Sequence, residues 1–287
     1  MSKIGKSKEH KEFSYMFFIF INGLISVFIL IMLWITLPES IWVIQLQESI
    51  WKLLKVFLSM MLFNCLMEYF FHRYILHKSV ILFLYKFYRK HTKHHGLTRI
   101  GKRRTRSGKE ILFIIENKYP IIEERQWESS FFPWYTLLLF SVIITPLLTL
   151  LQWIIPSYPW FIGGNIALLA SLTLYEFVHA IEHWDKERWD KVIELPRWGA
   201  FWRKVYSFHL RHHAVIDCNE SISGFFTIPL ADILFGTFVL PKSLYIDGGE
   251  WAESEFKSPT PIFFIKWFDE KAKNIVQKRR HRRTSHI

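Results

Sequence analysis

Cysteine is nearly absent: Cys65 and Cys218 are the only two in 287 residues. One lies in an apolar run and the other in a polar segment. That excludes a disulfide framework and a cysteine-based zinc site, and both are read as packing or surface residues. Charge is missing from long stretches as well. Residues 13–37 and 131–155 are each twenty-five residues without a formal charge. The first follows a basic start, yet it is too long for a signal peptide and no small-residue cleavage site follows it, so it reads as a retained span. Flavin, haem and iron–sulfur motifs are missing, and so is any module for reading nucleic acid. The formal charge of +12 therefore does not imply a nucleic-acid partner.

What is present is apolar and aromatic. Hydrophobic residues make up 51% of the chain and aromatics 18%, with charged and apolar runs segregated as in a membrane protein. As a helix, residues 13–37 would extend roughly 37 Å, enough for a hydrocarbon core of about 30 Å. Residues 131–155, with Pro133 near the start and Pro146 inside, form a second span. Residues 160–178 return after a turn at Ser157 and Pro159. Residues 51–71 are less clean, since Lys52, Lys55 and Glu68 flank or enter the run, but lysines at a helix end snorkel to the interface.

Charge asymmetry decides whether residues 51–71 cross. If they do, residues 1–12, 73–129 and 184–287 share one side and hold 4, 14 and 17 of the 37 lysines and arginines. The opposite loops, 38–49 and 156–159, hold none. The positive-inside rule then selects four spans with both termini cytoplasmic, in a bacterial inner membrane or the endoplasmic reticulum. The expected organisation is a basic N-terminus (1–12), one membrane domain (13–270) and a basic C-terminal tail (271–287). The fold class is all-α: about four transmembrane helices with a cytoplasmic helical cap.

Ten of the thirteen histidines fall in four clusters: His72 and His77; His91, His94 and His95; His179 and His183; His209, His212 and His213. His10, His281 and His286 lie in polar termini and are read as ordinary surface residues. A neutral imidazole offers a lone pair near neutral pH, which makes histidine the commonest metal ligand. On a helix, steps of three and four bring ligands within about 100° of one another around the axis. The five-residue step from His72 to His77 puts them roughly 140° apart on an ideal helix, so either the helix loosens there or the two reach different metals. Ten imidazoles are too many for one ion; two ions with about five nitrogens each fit. An all-nitrogen shell suits iron, zinc, copper or nickel. Glu68, Glu176, Glu182, Asp185, Asp217 and Asn219 are the candidates for orienting the rings from behind.

The four motifs, HRYILH (72–77), HTKHH (91–95), HAIEH (179–183) and HLRHH (209–213), resemble those of the fatty acid hydroxylase/sterol desaturase superfamily, integral-membrane non-haem oxygenases. The resemblance covers roughly residues 55–240. A further echo is NESISGFFTIPLADILFGTF (219–238), which departs from the family pattern at Glu220-Ser221 and at Ala231, where tryptophan is usual. A fused cytochrome b5 domain, found in some fatty acid 2-hydroxylases, is not expected with about a dozen residues before the first span. The resemblance implies a di-iron centre, with zinc as an occupant of purified samples, and O2 as co-substrate. It implies a lipid substrate, such as a fatty-acyl chain or sterol, hydroxylated at a C–H bond, and desaturation is the alternative outcome. Electrons would come from a partner such as cytochrome b5 or a ferredoxin with its reductase. A membrane metal transporter or sensor is the non-enzymatic alternative; it would place ionisable groups along a path near the midplane, whereas these histidines gather at one face. Arg99, Lys102, Arg103, Arg104 and Arg106 are candidates for holding an anionic headgroup, against a plain reading as basic flanks.

Overall fold

A computed structural model describes residues 15–96, 98–105, 111–117, 130–242, 244 and 249–284. These residues are mostly helical, and among them four helices are long and apolar enough to cross a membrane. They are α1 (Tyr15–Thr36), α3 (Ile50–Phe71), α5 (Thr136–Ile154) and α6 (Trp160–Glu182). A short helix, α2 (Glu39–Gln47), fills the expected loop between the first two. The remaining helices are α4 (Tyr85–His95), α7 (Lys186–Ile193), α8 (Gly199–Ala214), α9 (Leu230–Phe235) and α10 (Phe263–Thr284).

The boundaries shift for local reasons. α5 starts at Thr136 rather than 131, because Pro133 turns the chain and its carbonyl accepts from Thr136 N. It then runs through Pro146 to Ile154. α6 continues to Glu182, past the expected end at 178, and so carries His179 inside the helix. α10 passes without a break through residue 271, where a separate tail was expected to begin. His281 lies on it; His10, His286 and Arg106 lie outside the described residues.

α6 is the central helix. A Cβ on Gly163 would lie 2.5 Å from Val56 Cγ1 of α3, and one on Gly164 would lie 2.6 Å from Leu148 of α5. Bare glycine backbones thus let the neighbouring helices approach closely, as in other membrane helix pairs. Polar side chains then tie the helices together: Asn64 Nδ2 donates to Ser171 Oγ at 2.9 Å, Gln45 Nε2 to Gln152 Oε1 at 2.9 Å, and Ser26 Oγ to Asn165 Oδ1. Val56, Met61, Leu137, Phe161 and Ala167 are buried in the apolar core between them.

The expectation of an all-helical chain is corrected by a three-stranded antiparallel sheet, β1 (Thr98–Arg104), β2 (Ile111–Asn117) and β3 (Glu250–Ala252), in the order β1-β2-β3. Its signal is the alternation in β2, where Phe113 and Ile115 are buried. The dense basic charge of β1 obscured it. Ile115 packs with Trp189, Tyr206 and Leu210, which joins the sheet to α7 and α8. Of the candidate headgroup ligands, Arg103 pairs with Glu250 of β3 at 3.2 Å and Lys102 lies over the Phe113 ring; Arg99 and Arg104 are β1 residues.

Candidate metal centre

The first histidine pair sits where α3 changes its winding. His72–Leu76 is a π-helical turn, closed by His77 N donating to His72 O at 3.1 Å. The i to i+5 pattern widens the turn, so a five-residue step returns to the same face. The His72 and His77 rings stack, with centroids 4.9 Å apart and planes at 24°. Of the two alternatives left open by the spacing, the chain takes the loosened helix.

The ten clustered histidines converge. His72, His77, His91, His95 and His212 form one group and His94, His183, His209 and His213 a second, with the ligand atoms in each within 4.8 Å of one another. His179 stands outside that second set but adjoins it, its Nε2 3.2 Å from His94 Nε2. The groups follow chain order, 72–95 in the first and 183–213 in the second, except that His94 and His212 are exchanged. α4 gives His91 and His95, one turn apart, to the first group and turns His94 to the second. α8 does the reverse: His209 and His213 join the second group while His212 crosses to the first. The i, i+4 pair stays together on each helix because those side chains overlie one another, and the residue between them points aside. His95 and His213 bridge the groups, with stacked rings 4.3 Å apart.

Hydrogen bonds from outside fix the rings. His72 Nδ1 donates to Glu220 O at 2.5 Å, and His212 Nδ1 donates to Cys218 O at 2.7 Å. In a neutral imidazole the other nitrogen is then an acceptor only. Yet His72 Nε2 faces His91 Nε2 at 2.9 Å, and His212 Nε2 faces His77 Nε2 at 3.2 Å. His91 Nε2 in turn faces His77 Nε2 at 3.2 Å. No placement of the His77 and His91 protons satisfies all three contacts, because if they donate to His212 and His72 two N–H groups face each other, whereas a cation between inward lone pairs satisfies all. Both ring nitrogens of His95 are buried with no hydrogen-bond partner among the described residues. Metal–imidazole bonds of roughly 2.1 Å put neighbouring ligand atoms about 3 Å apart around one ion, the spacing seen here. The residues present therefore fit metal ions. Burial, and after it the neighbouring imidazoles, hold His77, His91, His94, His95, His209 and His213 well below the ordinary imidazole pKa. Burial lowers His212 to about 4. The lone pairs are thus free at neutral pH.

Of the six candidates for orienting the rings, Glu182 faces a ligand: its Oε2 lies 3.4 Å from His209 Nδ1. The other five do different work. Glu68 accepts from Ser223 N at 2.8 Å, Ser223 Oγ at 2.5 Å and Gly224 N at 3.1 Å, anchoring the 219–224 segment to α3. Glu176 accepts from Phe132 N at 2.7 Å, holding the turn before α5. Asp185 caps α7 through Arg188 N. Asp217 accepts from Ser258 Oγ through its side chain. Asn219 adopts a left-handed φ of 57° and braces Phe208 O, Val239 O and Val239 N. Sequence reasoning missed Ser130, whose Oγ is 2.7 Å from His94 Nδ1, and Thr98 of β1, whose Oγ1 is 3.3 Å from His213 Nδ1. It also missed Arg73, Glu220 and Asp269. Ser130, Thr98 and Glu220 lie far in sequence from the histidines they touch, and Arg73, although it lies inside HRYILH, finds its partners Glu220 and Asp269 147 and 196 positions away.

A cavity of about 690 Å³ opens beside the first group. It runs along α3 from Phe63 past Glu68 to His72 and Leu76, and between α5 and α6 from Leu147 and Leu168 up to Phe140 and Tyr175. Its walls are almost wholly apolar, with Lys271 of α10 at its rim. No family model, curated protein or solved structure matches this chain.

Proposed function

We propose that this protein is a membrane-bound, O2-dependent lipid hydroxylase that uses two histidine-held iron ions. The observation that carries the reading is the contact between two features. Nine imidazoles gather in two groups of ligand atoms with His179 adjoining, and one of them, His72, also lines an apolar cavity that descends among the long apolar helices. From Phe63 to His72 is nine residues of helix, roughly 13 Å, so the cavity accepts an extended hydrocarbon chain and leads it past the metal ligands. The bound ions would activate O2 with two electrons from an external reductant and two protons, one oxygen entering a C–H bond and the other leaving as water.

The chain's own residues do the rest. His72 and His77 on the π-turn, His91 and His95 on α4 and His212 on α8 would hold one ion. His94, His183, His209 and His213, with His179 beside them, would hold the other. Phe71, Phe132, Phe140 and Tyr175 line the upper cavity and exclude water from the reacting carbon. Lys271 stands where the polar head of an amphiphile would emerge. The bias of lysine and arginine towards the segments bearing the histidines supports a cytoplasmic site, reached by an external reductant such as cytochrome b5 or a ferredoxin.

Lipids of cells expressing the protein, or its His94→Ala/His95→Ala variant, decide the matter by mass spectrometry. A histidine-dependent gain of one oxygen is expected in a lipid species. Loss of two hydrogens instead would identify a desaturase, and no histidine-dependent change in any lipid would sink the enzyme reading.

A further inference from the structure

The segment after α8 lies directly over the first histidine group. Asn219 reverses the chain there, and the next residue is held by its backbone at both ends. Glu220 N donates to Asp232 Oδ1 at 2.9 Å, while Glu220 O accepts from His72 Nδ1. Ser221 N donates to the other oxygen of Asp232 at 2.8 Å. So anchored, the Glu220 side chain is driven inward and is wholly buried.

Its two oxygens have different surroundings. Oε1 accepts from Arg73 Nη1 at 3.0 Å. Arg73 is itself clamped by Asp269 of α10, through Nε to Oδ1 at 3.0 Å and Nη2 to Oδ2 at 2.7 Å, and also donates to Asp217 O. Oε2 has no hydrogen-bond partner among the described residues. It lies 3.9 Å from His77 Nε2, the same nitrogen that faces His91 and His212, and 3.9 Å from His72 Nδ1. A buried carboxylate oxygen without a donor is costly. Arg73 satisfies one oxygen and leaves the other beside His77 Nε2, a ligand atom of the first group. Two atoms bound to one ion at roughly 2.1 Å each are about 3 to 4 Å apart, a range that includes the Oε2 to His77 Nε2 distance.

Building on the dimetal reading above, we propose that Glu220 supplies a carboxylate oxygen to the ion of the first histidine group, with Asp269 and Arg73 setting its position. The two ions are then chemically unlike. The first has a mixed nitrogen–oxygen pocket, harder and more negative, which suits iron or manganese over copper. The second has nitrogen alone. This role falls on the residue where the chain departs from the pattern it otherwise resembles.

The test uses the full-length, detergent-solubilised protein, stripped of metal and titrated with ferrous iron without oxygen. Wild type is expected to load two ions and, with ⁵⁷Fe, to show two distinct ferrous Mössbauer doublets of equal area. Glu220→Gln keeps the volume and an acceptor for Arg73 but removes the charge. It is expected to weaken one ion about 10- to 100-fold, to move one doublet and to leave the other unchanged. Glu220→Asp, which keeps the charge but shortens the reach, is expected to weaken the same ion and replaces the glutamine variant if that does not fold. Two-ion loading and spectra identical to wild type in either folded variant would overturn the proposal, as would a single doublet in wild type. Wild type that binds no iron would instead overturn the dimetal reading itself.

Discussion

At the scale of single residues, the centre rests on which nitrogen of each imidazole faces outward. His72 and His212 give their Nδ1 protons to backbone carbonyls of the 218–220 segment, which commits their Nε2 lone pairs to the interior. Glu182 stands behind His209 on the other side. Such a cluster is stable only while its rings are neutral. Burial depresses His212 to about 4, whereas an unfolded histidine titrates near 6.5. Between those values the unfolded chain binds the extra proton and the folded one does not, so stability falls as pH drops through 6.5 and levels off below 4. His212 alone is expected to contribute about 3 kcal/mol of that loss. Thermal unfolding of metal-free protein at pH 7.5, 6.5 and 5.5 should show a declining midpoint; a flat profile would contradict the buried, neutral cluster. The histidines were legible from spacing alone because four clusters repeat a ligand step. Their partners were not, since 148 positions separate His72 from Glu220 and nothing local marks the pairing.

At the scale of elements, ligand placement follows from helix geometry. The π-turn at His72–Leu76 converts a step that would splay two ligands into one that stacks them. α4 and α8 each split their three histidines between the two groups. Motif spacing showed that the rings of each helix cluster, but their division between the two groups depends on how each helix is rotated against its neighbours. The helices that carry the other histidine pairs to the site, α3 and α6, are brought together by contacts such as Gly163 against Val56. Gly163→Val forces side-chain atoms into that contact and is expected to destabilise the protein by about 1–3 kcal/mol. Because α3 leads into the His72/His77 turn and α6 ends in His179 and His183, iron content should fall with it. A variant with wild-type melting temperature and full metal loading would show that the helix contact does not set the site.

For the whole molecule, charge and hydropathy divide the chain into two ends. The two loops without lysine or arginine connect the spans at the end opposite the histidines, and almost all the basic residues lie on the segments that carry them. The positive-inside rule makes both termini cytoplasmic the proposed topology, which labelling tests. Single cysteines at Ser49 and Ser157 are expected to react with a membrane-impermeant maleimide on intact cells. Cysteines at Ser2 and Ser285 are expected to react only after permeabilisation, with the native cysteines replaced by alanine. The reversed pattern would place the metal centre on the other side.

Sequence alone determined the four long apolar helices, the side bias of charge and the ten ligand candidates. Each of these is a local property: a run length, a count or a spacing along one helix. Tertiary structure decided what depends on several elements at once. It set the 5:4 grouping with His179 adjoining, the apolar cavity against His72, the sheet that brings Thr98 to His213, and the turn that brings Glu220 to the first group. An imidazole's chemistry is written in the chain, but the direction of its lone pair depends on whatever folds behind it.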